Sequence, residues 1–146
     1  MRSLMVLFFV VTAALAARAE TKPLETIVDA LSAREHCDEF MALVNKEKVQ
    51  EAFDSLLPHG SFSKAEASSL VLQTIRQREM VGEQYGPAAG VEFVFEQRLG
   101  ASLLRLTYLE KRTRHPFVWT FLFYSADGES WRLNGINWSD KVQELF

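Results

Sequence analysis

The spacing of apolar residues divides the chain into a helical first part and a second part made of strands. From Leu24 to about Val81, apolar side chains recur every three or four residues, which is the period of an amphipathic helix. Pro23 suits the first turn of the first helix. Ser63 and Glu66 form a capping box, in which each side chain bonds the backbone amide of the other residue. A further helix is therefore predicted to begin at this point and to run to about Val81.

After a composition change between Gly82 and Gly90, the apolar residues alternate with a period of two. Four segments carry this pattern: "VEFVFEQ" (91–97), "ASLLRLTYLEKR" (101–112), "FVWTFLFY" (117–124) and "SWRLNGINW" (130–138). Short turns separate them, including "RHP" before the third segment and "ADGE" after it. Helices followed by a run of short-connected strands predict an α+β fold, in which N-terminal helices pack on one face of a curved antiparallel sheet of about four strands.

Alternation also sorts the strand residues into two faces, because successive side chains in a strand point in opposite directions. The face predicted to lie under the helices carries Val91, Phe93, Phe95, Leu104, Leu106, Tyr108, Phe117, Trp119, Phe121, Phe123, Trp131 and Leu133. No Asp, Glu or His is among them. The opposite, open face is predicted to carry an apolar stripe rimmed by charge, which is typical of an interface core or of a shallow ligand groove. The predicted interface residues are Val118, Thr120, Leu122, Tyr124, Ile136 and Trp138.

The first residues, "MRSLMVLFFVVTAALAARAE", have the pattern of a secretory signal peptide. A basic residue precedes an apolar run, and the small residues Ala17 and Ala19 flank Arg18, which predicts cleavage between Ala19 and Glu20. A membrane anchor is the alternative, but the run is shorter than the roughly 20 residues that span a bilayer. We therefore predict a signal peptide at 1–19, a single domain at 20–146, no membrane attachment after cleavage, and a secreted protein of the bacterial periplasm.

Charge and cysteine content exclude several classes of function. Loss of Arg2 and Arg18 with the signal peptide changes the balance from 16 basic and 19 acidic residues to 14 and 19, a net charge of −5. Such a domain lacks the basic clusters that bind nucleic acid. The single cysteine, Cys37, forms no internal disulfide. Its neighbours at 36–39 are consecutive on a helix and point in different directions, so no metal site and no cofactor are expected.

The second half of the chain resembles a known family. "RLGASLLRLTYLEKRTRHPFVWTFLFYSADGESWRLNGINWSDKVQELF" is similar to a group of small secreted bacterial proteins of unknown function, within the NTF2-like (SnoaL-like, cystatin-type) superfamily. The resemblance covers residues 82–146 well and the helical part loosely. It implies a cone of helices on a curved sheet around an apolar pocket, and a homodimer through the other sheet face. Its enzymes are isomerases and dehydratases that use a pocket Asp, or an Asp-His pair, as the base.

These observations favour a non-enzymatic binding or interaction module that forms a homodimer through the open sheet face. No catalytic residue is assigned, because the strand positions predicted to face the helices lack a base. The alternative is a small-apolar-ligand-binding protein, or an isomerase- or dehydratase-type enzyme, that uses the helix–sheet cavity. In that case Tyr108, Trp119 and Trp131 are the predicted pocket lining, although large aromatic residues at such positions commonly form ordinary core.

Overall fold

Four helices precede a four-stranded antiparallel sheet in the computed structural model, which describes residue 27 and residues 29–146. The predicted signal peptide lies outside these residues. The helices are α1 (Ala30–Asn45), α2 (Val49–Leu56), α3 (Lys64–Arg78) and α4 (Val81–Tyr85), with short 3₁₀ helices at Leu57–His59 and Val142–Leu145. The strands are β1 (Ala88–Leu99), β2 (Leu103–Arg112), β3 (Phe117–Tyr124) and β4 (Arg132–Ser139), paired in chain order. The predicted α+β fold is confirmed.

Helix α1 begins later than the apolar spacing predicts. Asp29 is its N-cap, and the Asp29 carboxylate accepts a hydrogen bond of 2.7 Å from the backbone amide of Ser32. Ile27, which the helical pattern includes, instead pairs with Trp131 through two backbone hydrogen bonds of 3.1 and 2.8 Å. The side chain of Ile27 is buried in the core. The prediction of a helix through Ile27 is wrong, because this residue contributes a bridge beside β4.

The capping box that starts α3 is confirmed. The Ser63 amide donates to the Glu66 carboxylate at 2.8 Å, and the Glu66 amide donates to the Ser63 hydroxyl at 3.2 Å. These bonds satisfy two backbone donors that an α-helix leaves without internal partners. The helix ends at Arg78 rather than at Val81, where the separate short helix α4 begins.

Replacing Ser63 with alanine is expected to lower the free energy of unfolding by about 1 kcal/mol, the usual effect of removing an N-cap. Ser69→Ala, in the exposed middle of α3, provides a matched control. Since alanine has the higher helix propensity, this control should be neutral or slightly stabilising. Urea denaturation of the wild type and the two variants measures both effects. Equal urea midpoints for Ser63→Ala and Ser69→Ala would contradict the capping role.

Aromatic side chains fill the space between the helices and the sheet. The Phe40 ring of α1 lies 5.2 Å from Phe53, 5.4 Å from Trp119 and 5.1 Å from Phe121, in edge-to-face arrangements. All four of these side chains are fully buried. The centre of the fold is therefore packed with protein side chains.

Besides an irregularity at the start of β1, between Ala88 and Gly90, two bulges change the predicted faces of sheet residues. In β1, Phe93 pairs with Tyr108 and Phe95 with Thr107, so Val94 is an extra residue. Because of this bulge Phe95 lies on the open face, not under the helices as alternation predicts.

The second bulge lies in β4, where Asn134 is the extra residue between the pairs Phe123–Leu133 and Leu122–Gly135. Beyond it, Ile136 pairs with Phe121 and Trp138 with Trp119, whose side chains face the helices. The placement of Ile136 and Trp138 on the open face is therefore wrong, since one extra residue reverses the alternation that assigns a face.

Among the described residues, no helix combines the length and apolar composition that crossing a membrane requires.

Candidate functional site

The open face of the sheet contains an apolar groove with a volume of about 430 Å³. The large apolar residues of its lining are Leu99 of β1, Leu103 of β2, Leu122 of β3 and Ile136 of the edge strand β4. Leu103 pairs with Leu99 on one side and with Tyr124 on the other, so these side chains form a continuous strip across three strands. Leu99 is 55% exposed and Tyr124 is 46% exposed. We call this surface, formed by Leu99, Leu103, Leu122 and Tyr124, the open-face patch.

Polar side chains border the patch. The Arg105 guanidinium donates to the Gln97 side-chain oxygen and lies 5.9 Å from the centre of the Phe95 ring. Arg105 does not pair with either of the acidic residues of β1, Glu92 and Glu96. Those carboxylates contact Lys111 and Arg98 instead. The bulge at Val94 accounts for this, because it places Gln97 opposite Arg105.

The C-terminal 3₁₀ helix lies beside the patch and accounts for the burial of Val118. Thr107 and Val118 occupy the open face, yet they are 2% and 9% exposed. A cavity of about 220 Å³ is bordered by these two residues together with Glu144 and Leu145. The end of the chain therefore folds over the middle of the open face and leaves the open-face patch uncovered.

The predicted interface residues separate into three groups. Thr120, Leu122 and Tyr124 lie on the open face, while Val118 shares that face but is buried near the C-terminal helix. Ile136 and Trp138 turn toward the helices and pack against the core, although Ile136, on the edge strand, also borders the open-face groove.

Tyr108, Trp119 and Trp131, the predicted pocket lining, belong to the hydrophobic core and are at most 4% exposed. The Tyr108 hydroxyl donates to the Asp38 carboxylate at 2.7 Å. Burial and this bond raise the pKa of Tyr108 well above its ordinary value. Packing and hydrogen bonding thus account for the burial of Tyr108, and Trp119 is enclosed by other aromatic rings.

Sequence analysis missed a buried carboxylate on the helix-facing side of β2. Glu110 is 0% exposed and continues the series Leu104, Leu106 and Tyr108, which occupies every second position on that face. Extending the alternation two residues past Tyr108 would have found it. The prediction that no carboxylate faces the helices is therefore wrong.

Glu110 is the centre of a network of charged groups. Its carboxylate accepts two hydrogen bonds from Arg78 (2.9 and 2.8 Å), two from Arg112 (3.0 and 2.9 Å) and one from the Trp119 indole (2.8 Å). Glu47, in the left-handed backbone region at φ 60°, binds both guanidinium groups from the solvent side. Two acidic and two basic residues thus balance in charge.

This network makes Glu110 a poor general base. Burial alone raises the pKa of its carboxyl. The hydrogen bonds and positive charge of Arg78 lower it more, together with the hydrogen bonds from Trp119 and Arg112, and the net pKa lies below its ordinary value. A base that works near neutral pH needs a raised pKa and a free lone pair in a pocket. Glu110 has neither property, so the geometry assigns it to stability.

Cys37 is a buried residue of α1, and burial raises the pKa of its thiol well above its ordinary value. This keeps the sulfur protonated and unreactive. Within residues 29–146 and residue 27, no group of three or more His, Cys, Asp or Glu side chains is placed to hold a metal ion.

No protein-family model matches the chain, and no curated protein matches it with significance. Membership of the NTF2-like superfamily therefore stays a prediction.

Proposed function

We propose that the protein is a non-enzymatic interaction module, exported to the bacterial periplasm, that forms a homodimer through the open face of its sheet. The observation that carries this proposal is the open-face patch. Four large apolar side chains are contiguous there: Leu99 and Tyr124 are about half exposed, and Leu103 and Leu122 are half-buried. Contiguous apolar surface of this kind marks interaction sites in proteins of this size.

The charges around the patch favour a second copy of the chain as the partner. A two-fold dimer places the same surface on both subunits, so its rim must complement itself. The open face carries positive charge at Arg105 and Arg132 and negative charge at Glu144. A rim with both signs can form cross-subunit ion pairs around an apolar centre.

The interior gives less support to an enzyme or to a carrier of apolar ligands. Phe40, Phe53, Trp119 and Phe121 fill the middle of the helix–sheet space and are fully buried. The carboxylate in this interior, Glu110, already accepts five hydrogen bonds. A catalytic base for isomerase chemistry would need a free carboxylate or imidazole beside a cavity.

Sedimentation analysis of the purified protein tests the dimer. We expect a monomer–dimer equilibrium with a dissociation constant of about micromolar strength. Leu122→Lys should shift the equilibrium to monomer, because it places an unpaired ammonium group at the centre of the apolar patch. Leu72→Lys is the matched control, since Leu72 is 56% exposed on α3, in the helix layer.

The control variant should assemble like the wild type and unfold at the same denaturant concentration as Leu122→Lys. Monomeric wild-type protein at concentrations of tens of micromolar would remove the proposal. Equal loss of dimer in both lysine variants would do the same, because it would place the interface elsewhere.

A further inference from the structure

A separate cavity, of about 440 Å³, lies between the ends of helices α3 and α4 and the β3–β4 edge of the sheet. Its walls come from segments far apart in the sequence: Met80 from the turn between α3 and α4, Tyr85 from α4, Phe117 from β3, Trp138 from β4, and Asp140 just after β4. It is distinct from the open-face patch, since Phe117 and Trp138 lie on the helix-facing side of the sheet.

Aromatic rings form one side of this cavity. The Tyr85 and Phe117 rings are 4.9 Å apart at 85°, and the Phe117 and Trp138 rings are 5.4 Å apart at 56°. The His115 ring lies 5.4 Å from Tyr85. Phe117 is itself buried, so the aromatic surface that reaches the cavity comes mainly from Tyr85 and Trp138, which are half-buried. Met80, 68% exposed, adds a polarisable thioether at the rim.

Among the described residues that line the cavity, Asp140 alone carries a formal charge, beside two glutamines that add neutral polar groups. The Tyr85 hydroxyl donates to one Asp140 carboxylate oxygen at 3.2 Å. The His115 side chain holds the Asp140 backbone, since its Nε2 lies 2.8 Å from the Asp140 carbonyl oxygen, where it donates a hydrogen bond. The carboxylate is thereby positioned next to the aromatic rings.

We infer that this cavity binds a small organic ammonium ion, such as a methylated amine. A carboxylate attracts the positive charge, and aromatic faces stabilise it through their quadrupoles, which is how quaternary ammonium groups are recognised. The Trp138 ring already contacts one cation, because the Arg78 guanidinium lies 5.5 Å from its centre. The charge of Arg78 is compensated by Glu110 and Glu47, so it does not cancel the field of Asp140.

The chemistry disfavours other ligand classes. An anion would meet the Asp140 carboxylate without an opposing charge in the lining, and a purely apolar ligand would leave that carboxylate desolvated. The site does not depend on the proposed dimer, because its lining residues lie on the opposite side of the sheet from Leu122.

Titration with choline and with its neutral carbon isostere, in which a tert-butyl group replaces the trimethylammonium group, tests the inference. The chain contains three tryptophans, whose indole N–H signals can be followed separately by two-dimensional NMR. We expect choline to shift the Trp138 signal in a saturable manner, and the isostere to bind up to about fivefold more weakly, because one exposed charge interaction changes an affinity by at most about that factor. Leu122→Lys should bind choline as the wild type does.

Two variants test the named side chains without altering the core. Asp140→Asn should weaken choline binding about fivefold through loss of one charge interaction. Met80→Lys should weaken choline binding by charge repulsion, whereas the neutral replacement Met80→Leu should leave it unchanged. Glu92→Gln, at the far edge of the sheet, is the charge control and should bind choline normally. Equal affinity for choline and the isostere, normal binding by Asp140→Asn, or a choline response that leaves the Trp138 signal unmoved would each overturn the inference.

Discussion

Replacing Glu110 with glutamine is expected to lower the free energy of unfolding by roughly 3–5 kcal/mol, the effect of removing one member of a buried ion pair. The glutamine has nearly the same shape but no charge, so the Arg78 and Arg112 guanidinium groups would keep only Glu47 as a counter-ion. Their side chains are 4% and 2% exposed, and water cannot replace the lost carboxylate. Five donors now point at the Glu110 carboxylate. The side-chain NH₂ group of the glutamine would face some of these donors with hydrogen atoms of its own, so those hydrogen bonds could not form.

Glu92→Gln is the matched control for this prediction. Glu92 lies on the neighbouring strand, and its carboxylate is 57% exposed and 3.5 Å from Lys111. Exposed ion pairs contribute at most about 1 kcal/mol, so the control should remain close to the wild type. Equilibrium urea denaturation measures both variants. If Glu110→Gln unfolded at the same urea concentration as the control, the buried network would not be a major source of stability.

The same network predicts an acid-dependent difference between wild type and Glu110→Gln. The pKa of Glu110 is lower in the folded protein than its ordinary value of 4.5. The stability that this carboxylate contributes is therefore fully present above the unfolded-state pKa and is lost as the pH falls through the folded-state pKa. We expect the difference in unfolding free energy to be constant near neutral pH and to shrink as the pH falls below 4.5, because the unfolded chain is protonated there while the folded carboxylate keeps its charge down to a lower pH.

The type and order of the elements were predictable because they depend on local physics. Periods of three to four and of two separate helix from strand in any sequence with one buried face. The α3 start was predictable to the residue, since Ser63 and Glu66 bond each other's backbone. The α1 start was not, because the partner that takes Ile27 out of the helix is Trp131, more than a hundred positions away.

The face assignments failed where a strand contains an extra residue. Alternation assumes an unbroken pleat, and the bulges at Val94 and Asn134 each reverse it from that point onward. Neither residue is a glycine that would mark the irregularity. The correct face of Phe95 and Trp138 thus depends on pairing between strands, which one strand's own pattern does not contain.

Glu110 shows a second limit of prediction from the sequence pattern. Hydrophobic patterning treats a glutamate as solvent-exposed, because a lone buried carboxylate is costly. Its burial is possible since Arg78, 32 residues away in the sequence, reaches the same point in the fold. The cavity beside Asp140 has the same origin: its residues come from four separate segments, and only the tertiary structure brings them together.

Phe40→Ala is the second substitution with a large expected effect, and it tests whether the interior is truly filled. Deleting a buried phenylalanine typically costs about 3–5 kcal/mol, the sum of lost burial and the cavity left behind. Phe40 is 0% exposed and contacts three aromatic rings that are themselves fixed by other contacts, so little collapse is expected. Leu31→Ala, on the same helix but 68% exposed, should change stability by less than about 0.5 kcal/mol.

The outcome of this substitution also bears on function. A packed interior leaves the protein only its surfaces for binding, which is what the proposed dimer requires. If thermal and urea unfolding showed that Phe40→Ala and Leu31→Ala were equally mild, the centre of the fold would be loosely packed. A helix–sheet cavity for a ligand would then regain support over the open-face interface, because binding an apolar ligand needs an internal space that the protein's own side chains do not fill.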